Sequence, residues 1–565
     1  MGVTNARRQT GRLLSVDGAA SVPPEGRVVA HDRWIQVERP LRMAVAAPVA
    51  LALGAFTGLG FAPVGWWWAT IAGFAGVTLL WRPIGARRSL GLGYLYGIGY
   101  FGVTTWWVAN MGWWLPLPLV GFLALWAGLA GWVTAWTLRR VAWTRPAWPL
   151  VAACAWTAGE WCAQRVPFGG FCWSRFAYTT PDQPLGGLLP VVGAGGVSFL
   201  VALTGAGLAW LIVGPARRQR LGALATIVAL LAAGGALRFW PAPEPTGALH
   251  VGVVQGNTDP SAGPLSIGEP RTITAMHLGE TITALATWRA QGVAMPDMIL
   301  WPENASDMDP TKDATTNALI TQASNLAGVP MLVGVISLGP GDGERQTTAL
   351  WWMPGTGPVA RLDKKNLAPF GEFVPLYGFF TKFVPMTHQV GLQSVPGTGP
   401  RVIDATLGDG TPLVVGNVIC YELAYDSTVY STVENGAQLI TVQSSNESMA
   451  GTWQPAQQFA ITRVRAMELR RQIAVATTQS LSGLIDEHGQ VLDVTQEGQP
   501  AFRLYTVNLG SGVTPGVVVG PWLEAGVSAL AVLGVLAGLA MSVRLRWRGT
   551  KNSRVEASIK EVSHE

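Results

Sequence analysis

The feature that most constrains this chain is the alternation of long apolar runs with tight arginine clusters between residues 41 and 240. A helix crossing the hydrocarbon core of a bilayer needs about 20 consecutive apolar residues. Eight stretches meet that need: 41–60, 64–81, 89–110, 115–138, 146–165, 187–213, 221–240 and 520–544. Lipid offers the backbone no hydrogen-bond partners, so such runs must be helical. Only 13% of the 565 residues are charged, where a soluble chain has about 25%. The charges nearly vanish between 41 and 240 and return afterwards. The chain thus divides into a membrane part and a water-facing part.

The arginines set the expected orientation. Arg7, Arg8, Arg12, Arg33, Arg39 and Arg42 precede the first run. Arg82, Arg87 and Arg88 separate the second and third, Arg139, Arg140 and Arg145 the fourth and fifth, and Arg217, Arg218 and Arg220 the sixth and seventh. Arg544, Arg546, Arg548 and Lys551 follow the eighth. Basic connections stay cytoplasmic. One arrangement satisfies every cluster: both termini inside, seven helices in 41–240, an outside domain at 247–510 and an eighth helix at 520–544. Isolated Arg165 and Arg175 stand apart from that alternation. Residues 1–40 read as a disordered cytoplasmic tail, with no signal-peptide pattern, and 545–565 as a second cytoplasmic tail. Trp66, Trp67, Trp68, Trp106, Trp107, Trp113 and Trp114 suit an aromatic belt at the outer interface. The net charge of +5 does not mark a nucleic-acid binder, because the basic residues punctuate apolar runs. The first four runs carry no internal charge of the kind an ion path places there.

Residues 247–510 read as α/β. Strand-like runs occur at 249–254, 298–301, 330–337, 412–420, 437–443, 472–477 and 503–508, with helical patterns near 270–290, 313–327 and 455–471. Functional residues of such layered folds gather where strands give way to loops. Glu303 follows the run ending at Trp301. Lys364 and Lys365 lead into Pro369-Phe370-Gly371-Glu372. Cys420 ends an apolar run and is followed by Tyr421 and Glu422. A thiol needs a base and a group that stabilises an oxyanion. No histidine lies in these motifs, which leaves Glu303 for the proton and a lysine for the charge. The four cysteines, Cys154, Cys162, Cys172 and Cys420, fit neither a zinc pattern nor CxxC. Cys154 and Cys162 read as core thiols.

The order Glu303, Lys364, Cys420, with Lys364 eight residues before Glu372, resembles the nitrilase superfamily of carbon-nitrogen hydrolases. The flanking helices narrow the resemblance to the apolipoprotein N-acyltransferase family, over roughly 41–545. Val254-Gln255-Gly256-Asn257, Asn446 with Arg463 to Glu468, Thr478 to Gly483, Glu160-Trp161 and Pro190 to Ser198 also resemble family segments. The resemblance implies eight transmembrane helices and an extracytoplasmic αββα sandwich in a bacterial inner membrane. It implies Cys420 as nucleophile, Glu303 as general base and Lys364 as oxyanion stabiliser, supported by Glu372, Tyr421 and Glu422. No metal or organic cofactor is implied. Asn366 stands where the family often has His, and Cys172 where it often has Pro. No Trp follows Gln255-Gly256-Asn257 within Thr258 to Glu269, and Gln443 to Ser448 lacks the usual aromatic.

By the same resemblance, Cys420 takes an acyl chain from a phospholipid. It passes the chain to the N-terminal amine of the diacylglyceryl-cysteine of an apolipoprotein, in ping-pong fashion. The aromatic stretch Phe373 to Met386 reads as a lid resting on the bilayer. Two rival readings share these features: a membrane-tethered amidase of nitrilase type, and a transporter or scaffold with an inactive outer domain. Cys172, which has no base beside it in sequence, is expected to stay a neutral, non-catalytic thiol.

Overall fold

The computed structural model describes residues 41–81, 85–258, 269–383 and 390–562. The expected tail at 1–40, Arg82, most of the Thr258 to Glu269 loop and the last residues of the expected lid, Val384 to Met386, lie outside the described residues.

Seven helices come first: α1 (Met43–Gly58), α2 (Trp67–Trp81), α3 (Ala86–Thr105), α4 (Pro116–Arg140), α5 (Trp148–Ala163), α6 (Leu189–Val213) and α7 (Arg217–Leu237). Small residues let them pack closely. A Cβ on Gly97 of α3 would lie 2.7 Å from the Ala124 Cα of α4, the close backbone approach typical of helices packed in lipid.

The chain then builds two sheets. The strands are β1 (Gly247–Gln255), β2 (Met298–Leu300), β3 (Met331–Leu338), β4 (Glu344–Met353), β5 (Gly357–Asp363), β6 (Gln393–Ser394), β7 (Val402–Thr406), β8 (Pro412–Ile419), β9 (Leu439–Ser444), β10 (Ile473–Thr477), β11 (Gly483–Ile485), β12 (Val491–Val494) and β13 (Ala501–Leu509). Between them lie α8 (Thr272–Gln291), α9 (Ala314–Ala327), α10 (Tyr377–Phe383), α11 (Asp426–Glu434) and α12 (Gln454–Leu469), and α13 (Pro515–Val562) follows. The first sheet runs β13-β1-β2-β3-β4-β5, with β6 beside β4, and the second runs β12-β11-β10-β9-β8-β7.

Each sheet is apolar on both faces, so each is covered twice. Val251, Leu300 and Leu332 of one sheet meet Val415, Ile419 and Ala474 of the other. The outer face of the first sheet, with Ile299 and Val333, packs on Leu278, Trp288 and Ile320 of α8 and α9. The outer face of the second, with Val418, Val442 and Val475, packs on Val429 and Val464 of α11 and α12. The layers are therefore helix, sheet, sheet, helix. The second helix layer continues into the aromatic core of the N-terminal helices around Phe74, Tyr100 and Trp156.

All eight expected apolar runs are helical. Among the described residues, four helices are long and apolar enough to cross a bilayer by length and composition: Pro116–Arg140, Pro184–Val213, Arg217–Leu237 and Pro515–Arg544. α1 and α2 are shorter apolar helices of 16 and 15 residues. α13 continues past 544, so the segment expected as a tail is helical to Val562. Trp66, Trp68, Trp106 and Trp113 are exposed. Trp107 departs from the expected belt: its indole N–H donates to Gln457 Oε1 at 3.1 Å and its ring packs against Trp173.

Candidate active site

The candidate residues stand at strand ends on one edge of the sandwich. Glu303 follows β2, Lys364 follows β5, Cys420 follows β8 and Asn446 follows β9. β8 and β9 are parallel, so Cys420 and Asn446 emerge side by side. Cys420 opens a short 3-10 turn with φ +52°. That left-handed conformation costs a non-glycine residue about 1–3 kcal/mol and marks a backbone held by its surroundings. Glu422 does much of the holding. Its carboxylate accepts from the Lys365 and Asn366 amides at 2.7 and 3.0 Å and from the Ile419 amide at 3.2 Å, and Arg401 lies 3.7 Å away. It thereby ties the Cys420 turn to the loop that carries Lys364.

Glu303 is placed by a close backbone approach. A Cβ on Gly334 of β3 would lie 2.1 Å from the Pro302 carbonyl oxygen and 2.7 Å from the Glu303 Cα, so any larger residue there would push Glu303 away. Glu303 Oε1 accepts from Lys364 Nζ at 2.9 Å, and Oε2 accepts from the Ser445 amide at 3.0 Å. Lys364 Nζ also pairs with Glu372 Oε1 at 3.0 Å, while Glu372 Oε2 accepts from the Ala368 amide at 2.8 Å. Burial alone would favour neutral Lys364, but the two carboxylates outweigh it and hold the ammonium charged well above the ordinary lysine range. Lys365 is exposed. The charge inside the site is therefore that of Lys364.

Burial and then the negative charge of Glu303 push the Cys420 thiol up, against a smaller opposing pull from Lys364. At rest Cys420 is thus a neutral thiol, and attack requires proton removal in step with bond formation. A carboxylate that interacts directly with the sulfur, and an ammonium beside that carboxylate, are what such a step needs.

Two polar side chains approach the sulfur: Asn446, which the family-like segments had included, and Gln458, which the sequence did not single out. Gln458 Nε2 approaches Cys420 Sγ at 3.7 Å and donates to Ser444 Oγ at 3.0 Å. Asn446 Oδ1 lies 4.0 Å from the sulfur and accepts from Gln454 Nε2 at 3.2 Å. The available signal was Gln454, Gln457 and Gln458 on the buried face of α12, since buried amides need a polar purpose.

Tyr421 points away from the carboxylates. Its ring stacks on Trp173 with centroids 6.1 Å apart, and its hydroxyl donates to the Gly170 carbonyl at 3.4 Å. Cys172 is buried in the same aromatic cluster, with Sγ 3.6 Å from the Gln164 carbonyl. Burial pushes its thiol up to about 12, and the pull of Arg175 does not offset that. Cys154, Cys162, Cys172 and Cys420 are all free thiols. Among the described residues, no group of three or more His, Cys, Asp or Glu could hold a metal ion.

A buried charge network joins this edge to the connector between α5 and α6 and to α13. Arg465 of α12 donates to the Leu423 and Ala424 carbonyls at 2.9 and 3.1 Å, just beyond the Cys420 turn. It also pairs with Asp426 at 2.8 Å and Glu468 at 2.6 Å. Asp426 in turn meets Arg175, which pairs with Glu524 of α13 at 2.9 Å. The first four apolar runs carry no internal charge, as read from sequence, but α5 and α13 bring Glu160 and Glu524 into the protein interior.

Comparison with known proteins gives a consistent assignment. A family model described as the apolipoprotein N-acyltransferase N-terminal domain matches residues 53–207, and one described as carbon-nitrogen hydrolase matches residues 292–510. The apolipoprotein N-acyltransferase of Mycolicibacterium smegmatis is 31% identical over 524 residues, covering 86% of this chain and 84% of its own. That of Nitrosomonas europaea is 29% identical over 427 residues, covering 74% and 80% respectively. Among solved structures, an amidase from Nesterenkonia sp. is 18% identical, covering 46% of this chain and 90% of its own, with a TM-score of 0.32.

Proposed function

Because the chain belongs to the apolipoprotein N-acyltransferase family, we propose that Cys420, Glu303 and Lys364 are the residues with which it moves an acyl chain from a phospholipid to a lipoprotein amine. The chain is an acyltransferase of lipoprotein biosynthesis. The observation that carries the residue assignment is the Lys364 ammonium, held between Glu303 and Glu372 beside a neutral thiol.

In the first half-reaction Glu303 takes the Sγ proton as the sulfur attacks the ester carbonyl carbon. The Lys364 charge stabilises the oxyanion. Collapse breaks the ester C–O bond, Glu303 returns the proton to the leaving oxygen, and a lysophospholipid departs. In the second half the acceptor amine attacks the thioester carbon and Glu303 accepts a proton from the nitrogen. The C–S bond breaks and the proton passes to Sγ, leaving an amide and the free thiol. This is covalent ping-pong catalysis. Glu372 and Glu422 position the lysine and the nucleophile turn, and Tyr421 anchors that turn on Trp173.

We place all eight apolar helices across a bacterial inner membrane, with both termini inside and 247–510 outside. The basic connections support that orientation. Leu376, Tyr377 and Phe379 are exposed at 65%, 48% and 58% in and just before α10. An apolar surface of this kind suits a lid against lipid. Assaying acylation of a diacylglyceryl-cysteine peptide against hydrolysis of a simple amide tests the function. Peptide acylation is expected; amide hydrolysis without it would favour a tethered amidase.

A further inference from the structure

The second half-reaction makes a demand that Glu303 leaves open. An α-amine with a pKa of about 7.7–8.0 is mostly protonated at neutral pH, and an ammonium has no lone pair with which to attack a thioester. Glu303 already accepts from Lys364 and from the Ser445 amide. One further proton must go elsewhere before attack.

Glu447 is an acidic residue at this edge that the mechanism does not use. It opens the short turn Glu447–Met449, directly after Asn446, which has φ +59°. Ser445 of that loop touches Glu303, and Asn446 faces the Cys420 sulfur. The Glu447 backbone carbonyl is fixed by Gln479 Nε2 at 3.1 Å. Its carboxylate Oε1 is enclosed and has no hydrogen-bond partner among the described residues. The charges that act on it are those of Glu303 and Asp307, both negative. Burial, reinforced by these two, moves the Glu447 carboxyl up to about 7. On its other side the turn meets the connector between α3 and α4, where Asn110 Nδ2 donates to the Ser448 carbonyl at 2.5 Å. That connector carries Trp106 and Trp113, exposed at 58% and 76%. The turn that Glu447 opens thus has Asn446 beside the nucleophile on one side and this exposed tryptophan connector against Ser448 on the other. An enclosed, unpartnered acidic oxygen under the negative charge of other carboxylates is satisfied by a primary ammonium.

Building on the acyl-transfer reading above, we propose that Glu447 binds the ammonium of the acceptor and accepts its first proton. One N–H bond breaks, the proton moves to the Glu447 carboxylate, and the neutral amine attacks the thioester carbon. Glu303 takes the second proton and passes it to Sγ as the C–S bond breaks. Glu447 then releases its proton to water.

The two half-reactions of the full-length enzyme can be measured separately in detergent micelles. The first is formation of acyl-Cys420 from labelled phosphatidylethanolamine; the second is transfer to a synthetic diacylglyceryl-cysteine peptide added afterwards. Glu447→Gln is expected to form the thioester within about threefold of wild type but to transfer on the order of 100-fold more slowly at pH 7. The deficit should shrink as pH rises above the pKa of the amine, and Glu447→Asp should recover part of the rate. Equal losses in both half-reactions, or unimpaired transfer at pH 7, would overturn the proposal. A wild-type enzyme that forms no acyl-Cys420 would contradict the underlying mechanism instead.

Discussion

Arg175 Nη1 donates to both carboxylate oxygens of Asp426, at 2.7 and 2.8 Å. Arg175 lies on the connector between α5 and α6, and Asp426 starts α11 in the catalytic sandwich. Through Arg465, the same Asp426 is linked to the carbonyls just beyond Cys420. The connector between α5 and α6 is therefore tied by ion pairs to the nucleophile turn.

Arg175→Met should accordingly be severely destabilising. Arg175 is 1% exposed and its partner Glu524 is 2% exposed. Removing one member of a buried ion pair costs about 3–5 kcal/mol, because the other is left uncompensated. Arg175→Lys should recover little, since a single ammonium cannot reproduce the planar fork between two carboxylates. Thermal unfolding in detergent measures this, and an unchanged midpoint for Arg175→Met would contradict it.

The Lys364 register can be tested against its neighbour. Glu303→Gln and Lys364→Met should each lower acyl transfer by at least on the order of 100-fold, the usual scale for losing an acid–base or oxyanion group. Lys365→Met should be much milder, since Lys365 is exposed and only its backbone amide is used, by Glu422. Steady-state acylation of a lipopeptide reads both, and a severe Lys365→Met with a mild Lys364→Met would reverse the assignment.

The electrostatics of Cys420 give a signed pH dependence. Burial and Glu303 raise its thiol, while Lys364 lowers it. Alkylation by iodoacetamide should therefore take off only above the ordinary thiol range of about 8.5. Glu303→Gln removes a charge that raises the thiol, so its alkylation profile should move to lower pH even as acyl transfer is lost. Lys364→Met should move the profile to higher pH. Shifts in the opposite directions would contradict this account of the site.

Orientation is a separate question. Cysteines introduced near Arg217 should be shielded from an impermeant thiol reagent in intact cells, and cysteines near Asp307 should react, with the unsubstituted chain as baseline. The reverse pattern would move the catalytic sandwich to the cytoplasmic side.

Much of this architecture was legible in the sequence, for physical reasons. Buried strands read as continuous apolar runs, so β1, β2, β3, β8, β9, β10 and β13 stood out. β4 did not, because it opens with Glu344-Arg345-Gln346-Thr347. Nor did β5, which contains Pro358 and Arg361 and lies at a sheet edge, where polar residues face water. β11 and β12 have only three and four residues, too few to show a period. Glu303, Lys364 and Cys420 could be picked out as candidates because strand ends and reactive side chains coincide there. Gln458 could not, because its approach to Cys420 depends on how α12 docks on the second sheet. The Arg175–Glu524 pair spans 349 positions, and no local spacing announces it. Trp107 looked interfacial for the same reason: only the docked sandwich supplies Gln457 as its partner.

The most direct test of the central claim is to find the acyl group. The enzyme is incubated with labelled phospholipid, digested under conditions that preserve thioesters, and its peptides are mapped by mass spectrometry. The label should sit on the peptide containing Cys420, be absent from Cys420→Ala, and persist in Cys172→Ala, whose acyl transfer should stay nearly intact. An adduct on the Cys172 peptide that survives Cys420→Ala would contradict the account.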